Sequence, residues 1–393
     1  MKYNFDEIIE RKGTNSVKYD ISRNRSKSED IIPLWVADMD FRTLPAVVDE
    51  LVKAARHGIF GYTSINENYF KAVHNWYKNR FDWTTEPSWL VPVPGVVDAI
   101  AISIRALTNE GDAVLIQRPV YYPFTKIITQ NKRKLINSPL LLKEGRYEMD
   151  FDDIEYKIKK ENVKLFILCS PHNPVGRVWT KEELLRVGEI CMKYNVTVIS
   201  DEIHCDFVYK GNKHYVFGSI KPEFLDNSII CTAPSKTFNL AGLRTSNIFI
   251  KNKNMRNKFI AEIENSGMSQ PNTMGLIACQ AAYEHGEEWL KQLIEYLENN
   301  IKFIKDYLHT YIPNINLIEL EGTYLIWLDF RKLNKTEEEL EDIIFNKAGI
   351  LLNKGTIFGE EGRGFQRMII ACPKSVLEQA FIRLEMAING RIP

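Results

Sequence analysis

The chain has 393 residues, of which 51 are basic and 51 acidic, and 45% of its side chains are hydrophobic. A chain of that length needs more than one apolar core, and the composition is that of an ordinary soluble globular protein. The balanced charge gives no bias toward nucleic acid, and no stretch reaches the apolar length of a membrane span.

The N-terminus, MKYNFDEIIERKG, is charged and lacks the apolar centre of a signal peptide, so a cytoplasmic location is expected. LPAVVDELVKAARHG (44–58) has helical spacing and ends on Gly58, a natural C-cap. Residues 95–112 read as a helix opened by Gly95, leading into a short strand at 113–116. Strands and helices then alternate. VKLFILCS (163–170) is a continuous apolar run, the mark of a strand buried on both faces. An amphipathic helix follows at 181–195, then buried strands at 196–200, 228–233 and 246–250. This alternation predicts an α/β fold with a mostly parallel sheet flanked by helices.

Past Asn272 the texture changes. A long helix is expected over 286–311, strands at 322–330, 349–353 and 367–372, and helices at 336–347 and 374–389. These form a smaller α+β C-terminal domain. The division expected is an N-terminal segment (1–45) packing with the small domain, a large domain (46–287) and the small domain (288–393).

The six cysteines, Cys169, Cys191, Cys205, Cys231, Cys279 and Cys372, form no C-x-x-C pair. They read as small buried hydrophobes in a reducing compartment. His204 and Cys205 are neighbours, but adjacent side chains seldom bind one metal, so no metal site is expected.

In open α/β sheets, ligands bind outside the carboxyl ends of the strands. Three successive strand ends deliver SPHNPVG (170–176), Asp201-Glu202 and Pro234-Ser235-Lys236. Taken singly, these are a turn, a helix cap and a surface loop. Taken together, Asn173, Asp201 and Lys236 define one site.

With PGVVDAI (94–100), PVYYPF (119–124), SPHNPVGRVW (170–179), SDEIH (200–204), APSKTFNLAGLR (233–244) and RMIIACP (367–373), the chain resembles the fold-type-I pyridoxal-phosphate (PLP) enzymes. This is the aspartate aminotransferase superfamily, with its seven-stranded type of sheet. PLWVADMDF (33–41), GYT (61–63), SDEIH and APSKTFN together resemble its cystathionine β-lyase and C–S lyase branch, cystalysin-like enzymes included.

The resemblance implies roles. Lys236 would carry PLP covalently, which requires a neutral amine and so a pKa lowered by burial or a nearby cation. Asp201 would keep the pyridine nitrogen protonated, so that the ring can accept electrons. Asn173 would donate to the ring 3′-oxygen, and Tyr121 would stack on the ring. The phosphate would meet Gly95, Val96 and Val97 at a helix N-terminus, Ser235, Arg244, and Tyr62 of the neighbouring subunit, making a homodimer with shared active sites. Arg367 would fork the substrate α-carboxylate, with Arg363 the competing candidate. Tyr122 and Ala37 would face the amino-acid substrate. Gly242 would allow a tight backbone path before Arg244.

Two positions depart from the family pattern. Ala233 stands where many relatives have a phosphate-binding serine, with Thr232 beside it as a possible substitute. His204 replaces the aminotransferase tyrosine but still belongs to the expected cofactor-binding set. The implied reaction is β-elimination at the C–S bond of cystathionine- or cysteine-type amino acids. An aminotransferase would use the same residues, and a regulatory protein retaining the fold is a third reading.

Overall fold

The apolar run at 163–170 is a strand, Leu165–Cys169, buried along its whole length. Side chains alternate across a strand, so its residues serve two cores. Phe166 and Leu168 pack on one face with Leu115, Val198 and Ile230. Leu165, Ile167 and Cys169 pack on the other with Val114, Ile199 and Ile229.

The computed structural model describes residues 2–21, 30–268 and 270–391. Positions 1 and 22–29 of the expected N-terminal segment, position 269 and positions 392–393 lie outside the described residues. The central sheet has strands β1 (Leu90–Val93), β2 (Ala113–Ile116), β3 (Lys134–Asn137), β4 (Leu165–Cys169), β5 (Thr197–Asp201), β6 (Ser228–Thr232) and β7 (Ser246–Phe249). Their order across the sheet is β1-β7-β6-β5-β4-β2-β3. The contacts from β3 to β6 are parallel, and β7 runs against both its neighbours. The register aligns Cys169, Asp201 and Cys231 side by side at the carboxyl rim.

The expected helix at 95–112 is shorter, Val96–Leu107. It stops because the Thr108 side chain turns back to the Ile104 carbonyl and the Asn109 N–H is captured by Asp112. Two helices not read from the sequence, Glu67–Phe81 and Thr273–His285, pack together against the same face. The expected helix at 44–58 is Pro45–His57, with Gly58 left-handed at φ 74°.

The C-terminal sheet is antiparallel: β8 (Asn316–Leu317), β9 (Leu325–Asp329), β10 (Asn353–Lys354) and β11 (Phe365–Ile369), in the order β8-β9-β11-β10. The strand expected at 349–353 is two pieces, because the chain changes partner. Ile350–Leu351 pairs with Ile32–Pro33 of the N-terminal segment, and β10 pairs with β11. The helix expected at 336–347 is α-helical over Glu337–Glu341 and widens to a π-helix over Asp342–Lys347. Helices Glu287–Tyr311 and Lys374–Ile388 lie at the expected places. We propose that the divisions fall near residues 45 and 287; one apolar core, running from Trp76 to Trp289 and Trp327, crosses them.

Candidate active site

At the rim where β4, β5 and β6 end, a cavity of about 270 Å³ opens. Its walls hold Ala37, Gly95, Val96, Val97, Tyr121, Asn173, Asp201, His204, Ser235, Lys236 and Arg244. They come from separate turns at the strand ends and from the N-terminal segment, and the sheet register brings those turns together. Gly176, at φ 74°, closes the turn after β4, and an added Cβ there would meet Leu320 at 2.4 Å.

Lys236 follows β6 on a single helical turn, Pro234–Thr237. Its Nζ donates to the Ala37 carbonyl at 2.6 Å, and the Tyr324 hydroxyl donates to the same oxygen at 3.0 Å. Burial, reinforced by the positive Arg367, pulls the amine pKa down to about 8. Asp201 is buried, and burial pushes its carboxyl up to about 7 against the opposing hydrogen bond from the Ile203 N–H. Burial holds the His204 imidazole neutral, and its Nδ1 has no hydrogen-bond partner among the described residues.

Arg367 is buried next to Asn173 and does not itself line the cavity. Nη1 donates to Asn173 Oδ1 at 3.0 Å, and Nη2 to the Trp35 carbonyl at 2.9 Å and to Asn353 Oδ1 at 2.6 Å. Its buried Nε has no partner among the described residues. Burial lowers the guanidinium pKa to about 10, which leaves it charged at neutral pH. With Oδ1 engaged by Arg367, the Asn173 amide keeps its N–H hydrogens for the cavity. Arg363, the competing arginine, pairs with Glu360 on the surface.

The opposite end of the cavity is built for an anion. Gly95 caps the Val96–Leu107 helix without a side-chain bond, so the first-turn N–H groups are unclaimed. Arg244 reaches across to Asp98 at 2.9 Å, and Ser235, Thr245 and Ser246 line the same end.

Several expectations need correction. Thr232 does not substitute for the missing serine: its hydroxyl is buried and donates to the Asn247 carbonyl at 2.8 Å, away from the cavity. Gly242 needs no glycine, since nothing lies within 4 Å of its would-be Cβ. The left-handed turns fall at Asn239 (φ 58°) and Arg244 (φ 47°). Tyr122 lines a neighbouring cavity and not this one. Tyr62, expected at the phosphate of a neighbouring subunit, is 96% exposed on its own chain. Tyr324 escaped sequence reasoning because GTYLIWLDF reads simply as a strand. No signal in it marked the tyrosine that shares Ala37 with the lysine.

The folded chain therefore has the PLP-dependent transferase architecture, with its cavity at the strand ends. The class I and II aminotransferase family model matches residues 29–384, and the chain belongs to that family. It is 41% identical to cystathionine β-lyase PatB of Bacillus subtilis, over 98% of this chain and all of that one. Among solved structures, PLP-containing cystalysin from Treponema denticola superposes with a TM-score of 0.96 at 39% identity, covering 99% of this chain and 100% of that one. The PLP-bound C–S lyase of Staphylococcus hominis gives 0.93 at 33% identity, covering 99% and 98%.

The residues present fit PLP. A buried carboxylate whose pKa is raised toward neutrality is suited to a protonated ring nitrogen. A lowered-pKa amine stands beside it, and helix N–H groups with an arginine face the phosphate end.

Proposed function

We propose that this chain is a PLP-dependent carbon–sulfur β-lyase that converts cystathionine- or cysteine-type L-amino acids and water to a thiol, pyruvate and ammonia. The observation that carries this reading is the hydrogen bond from Lys236 to Ala37. It places the WVADMDF segment, which sets the lyase branch apart in sequence, directly on the reactive amine.

Bound PLP supplies an electron-withdrawing ring that acidifies the substrate Cα–H. Asp201 holds positive charge at the ring nitrogen, and Asn173 donates to the 3′-oxygen. Tyr121, half-buried and edge-on to Phe124, covers a ring face and excludes water. Gly95, Val96, Val97, Ser235 and Arg244 hold the phosphate. Arg367 binds the α-carboxylate with its charge and its unpartnered Nε–H. Lys236 takes the Cα proton; its pKa of about 8 suits a base working near neutral pH. The neutral imidazole of His204 adds no competing cation beside it.

The enzyme acts as a homodimer in the cytoplasm in this reading. Ile59, Phe60 and Tyr62 form an exposed apolar run, and a second subunit covering it would receive Tyr62 at its phosphate end. The six cysteines are buried and unpaired, and no helix among the described residues is long and apolar enough to cross a membrane.

The test is purified protein with L-cystathionine and no keto acid. Pyruvate and thiol should appear in equal amounts. Turnover that requires a keto acid and releases no thiol would make it an aminotransferase.

A further inference from the structure

Tyr324 is buried just ahead of β9 and does not line the cavity, yet its hydroxyl reaches the reactive amine through one shared atom. The Ala37 carbonyl oxygen accepts from Tyr324 Oη at 3.0 Å and from Lys236 Nζ at 2.6 Å. A carbonyl oxygen has two lone pairs, so these two donors fill it. The phenol ring is held edge-on to Phe207, with centroids 4.9 Å apart at 89°, and to His204 at 5.8 Å. Burial raises the phenol pKa well above its ordinary value, so the hydroxyl keeps its proton and stays a donor.

The backbone just before Tyr324 is strained. Thr323 has φ 70°, and it is the one β-branched residue in the left-handed region among the described residues. That conformation is costly for a β-branched side chain and persists only where the surroundings impose it. Three hydrogen bonds impose it here. The Thr323 N–H donates to the Phe207 carbonyl at 2.9 Å, its carbonyl accepts from the Tyr209 hydroxyl at 2.6 Å, and its Oγ1 accepts from the Leu325 N–H at 3.1 Å. The chain turns at this residue, between the Gly322 bridge to Val208 and the start of β9, and Tyr324 leaves the turn facing Ala37.

We propose that Tyr324 is a positioning residue for Lys236, acting through the Ala37 carbonyl, and that the strained Thr323 turn aims it. This rests on Lys236 as the reactive amine of the proposed function. A hydroxyl donating to the amine itself would occupy the lone pair that has to attack or take a proton. Tyr324 donates to the carbonyl instead, which fixes the acceptor and leaves the amine lone pair to the cavity. It also makes that oxygen a weaker partner for an ammonium, so the neutral amine is favoured. The other groups around the amine are Arg367, which favours its neutral form, Asp38 and Asp201, which favour its charged form, and the neutral His204. Tyr324→Phe alters none of them.

The test follows Lys236 in the cofactor-free protein. Acetic anhydride labels neutral amines, and peptide mass spectrometry reads the labelling of Lys236 across neutral and alkaline pH. The wild-type profile should have its midpoint near about 8. In Tyr324→Phe the midpoint should move to higher pH, with about threefold to tenfold less labelling at pH 7. Thr323→Val keeps the side-chain shape but loses the Oγ1 anchor, and it should move the midpoint the same way. Tyr69→Phe, which strips a buried hydroxyl bonded to Asn247, should lower Tm and leave the midpoint in place. Profiles in Tyr324→Phe and Thr323→Val that match wild type overturn the positioning role, as does an equal shift in Tyr69→Phe. A shift in Tyr324→Phe alone supports the tyrosine and overturns the part given to Thr323. The cofactor reading is separated by adding PLP. A wild type with no borohydride-sensitive band sinks that reading, while the labelling profiles still decide the role of Tyr324.

Discussion

Lys236 is half-buried close to the buried Asp201, and desolvation moves their pKa values toward each other, to about 8 and about 7. Only the neutral amine can attack the cofactor aldehyde. Cofactor uptake by the cofactor-free protein should therefore accelerate as pH rises through about 8, which stopped-flow absorbance can follow. Asp201 carries a stability consequence. An aspartate titrates near 4 in an unfolded chain, and Asp201 titrates near 7 when buried, so its contribution favours folding in acid and is lost as pH rises through about 7. Cofactor-free Asp201→Asn should melt a few degrees above wild type at pH 8, with a margin that shrinks as the pH falls toward 4. The same substitution should cost the holoenzyme much of its activity, because an amide cannot hold the ring nitrogen protonated. Arg367→Ala should raise KM for the amino acid roughly 10- to 100-fold, by removing a charge-assisted fork. The core of this site was legible in sequence because Asn173, Asp201 and Lys236 each end a strand. Tyr324 was not legible, since its role depends on a carbonyl 287 positions away in the chain.

Among the elements, the strands at the centre of the sheet were read well, because a strand buried on both faces is apolar throughout. Strand β3, at the sheet edge, was not: KLIN is partly exposed and carries no apolar run. The Thr273–His285 helix was missed for a related reason, since it is small-residue-rich and buried on nearly all sides, leaving no amphipathic stripe. That helix approaches the site closely. A Cβ on Gly275 would lie 2.0 Å from Thr245 Oγ1 and 2.4 Å from the Leu243 carbonyl, on either side of Arg244. Gly275→Ala should destabilise the fold by about 1–3 kcal/mol, read by denaturant unfolding, and should weaken PLP affinity by moving the Arg244 loop. Gly242→Ala, in open space, should do neither.

At the scale of the whole molecule, the N-terminal segment joins the parts. Its Ile32–Pro33 strand pairs with the C-terminal region, the Asn239 side chain bonds Met39 and Phe41, and Ala37 meets Lys236. The buried Lys18 and Arg11 hold Asp40 at 2.7 and 2.6 Å, locking this strap over the site. Sequence alone suggested where the strap packs but not that it caps the lysine. The exposed Ile59–Tyr62 run belongs to the same scale. Phe60→Asp should shift the protein toward monomer in analytical ultracentrifugation and lower its PLP affinity together, if the partner's Tyr62 completes the phosphate end. The central claim is that Lys236 carries the cofactor in this cavity, and the visible absorption spectrum of the purified, PLP-reconstituted protein tests it most directly. Wild type should show a yellow band that borohydride abolishes and that Lys236→Ala lacks. No band in wild type, or an identical borohydride-sensitive band in Lys236→Ala, would contradict the account.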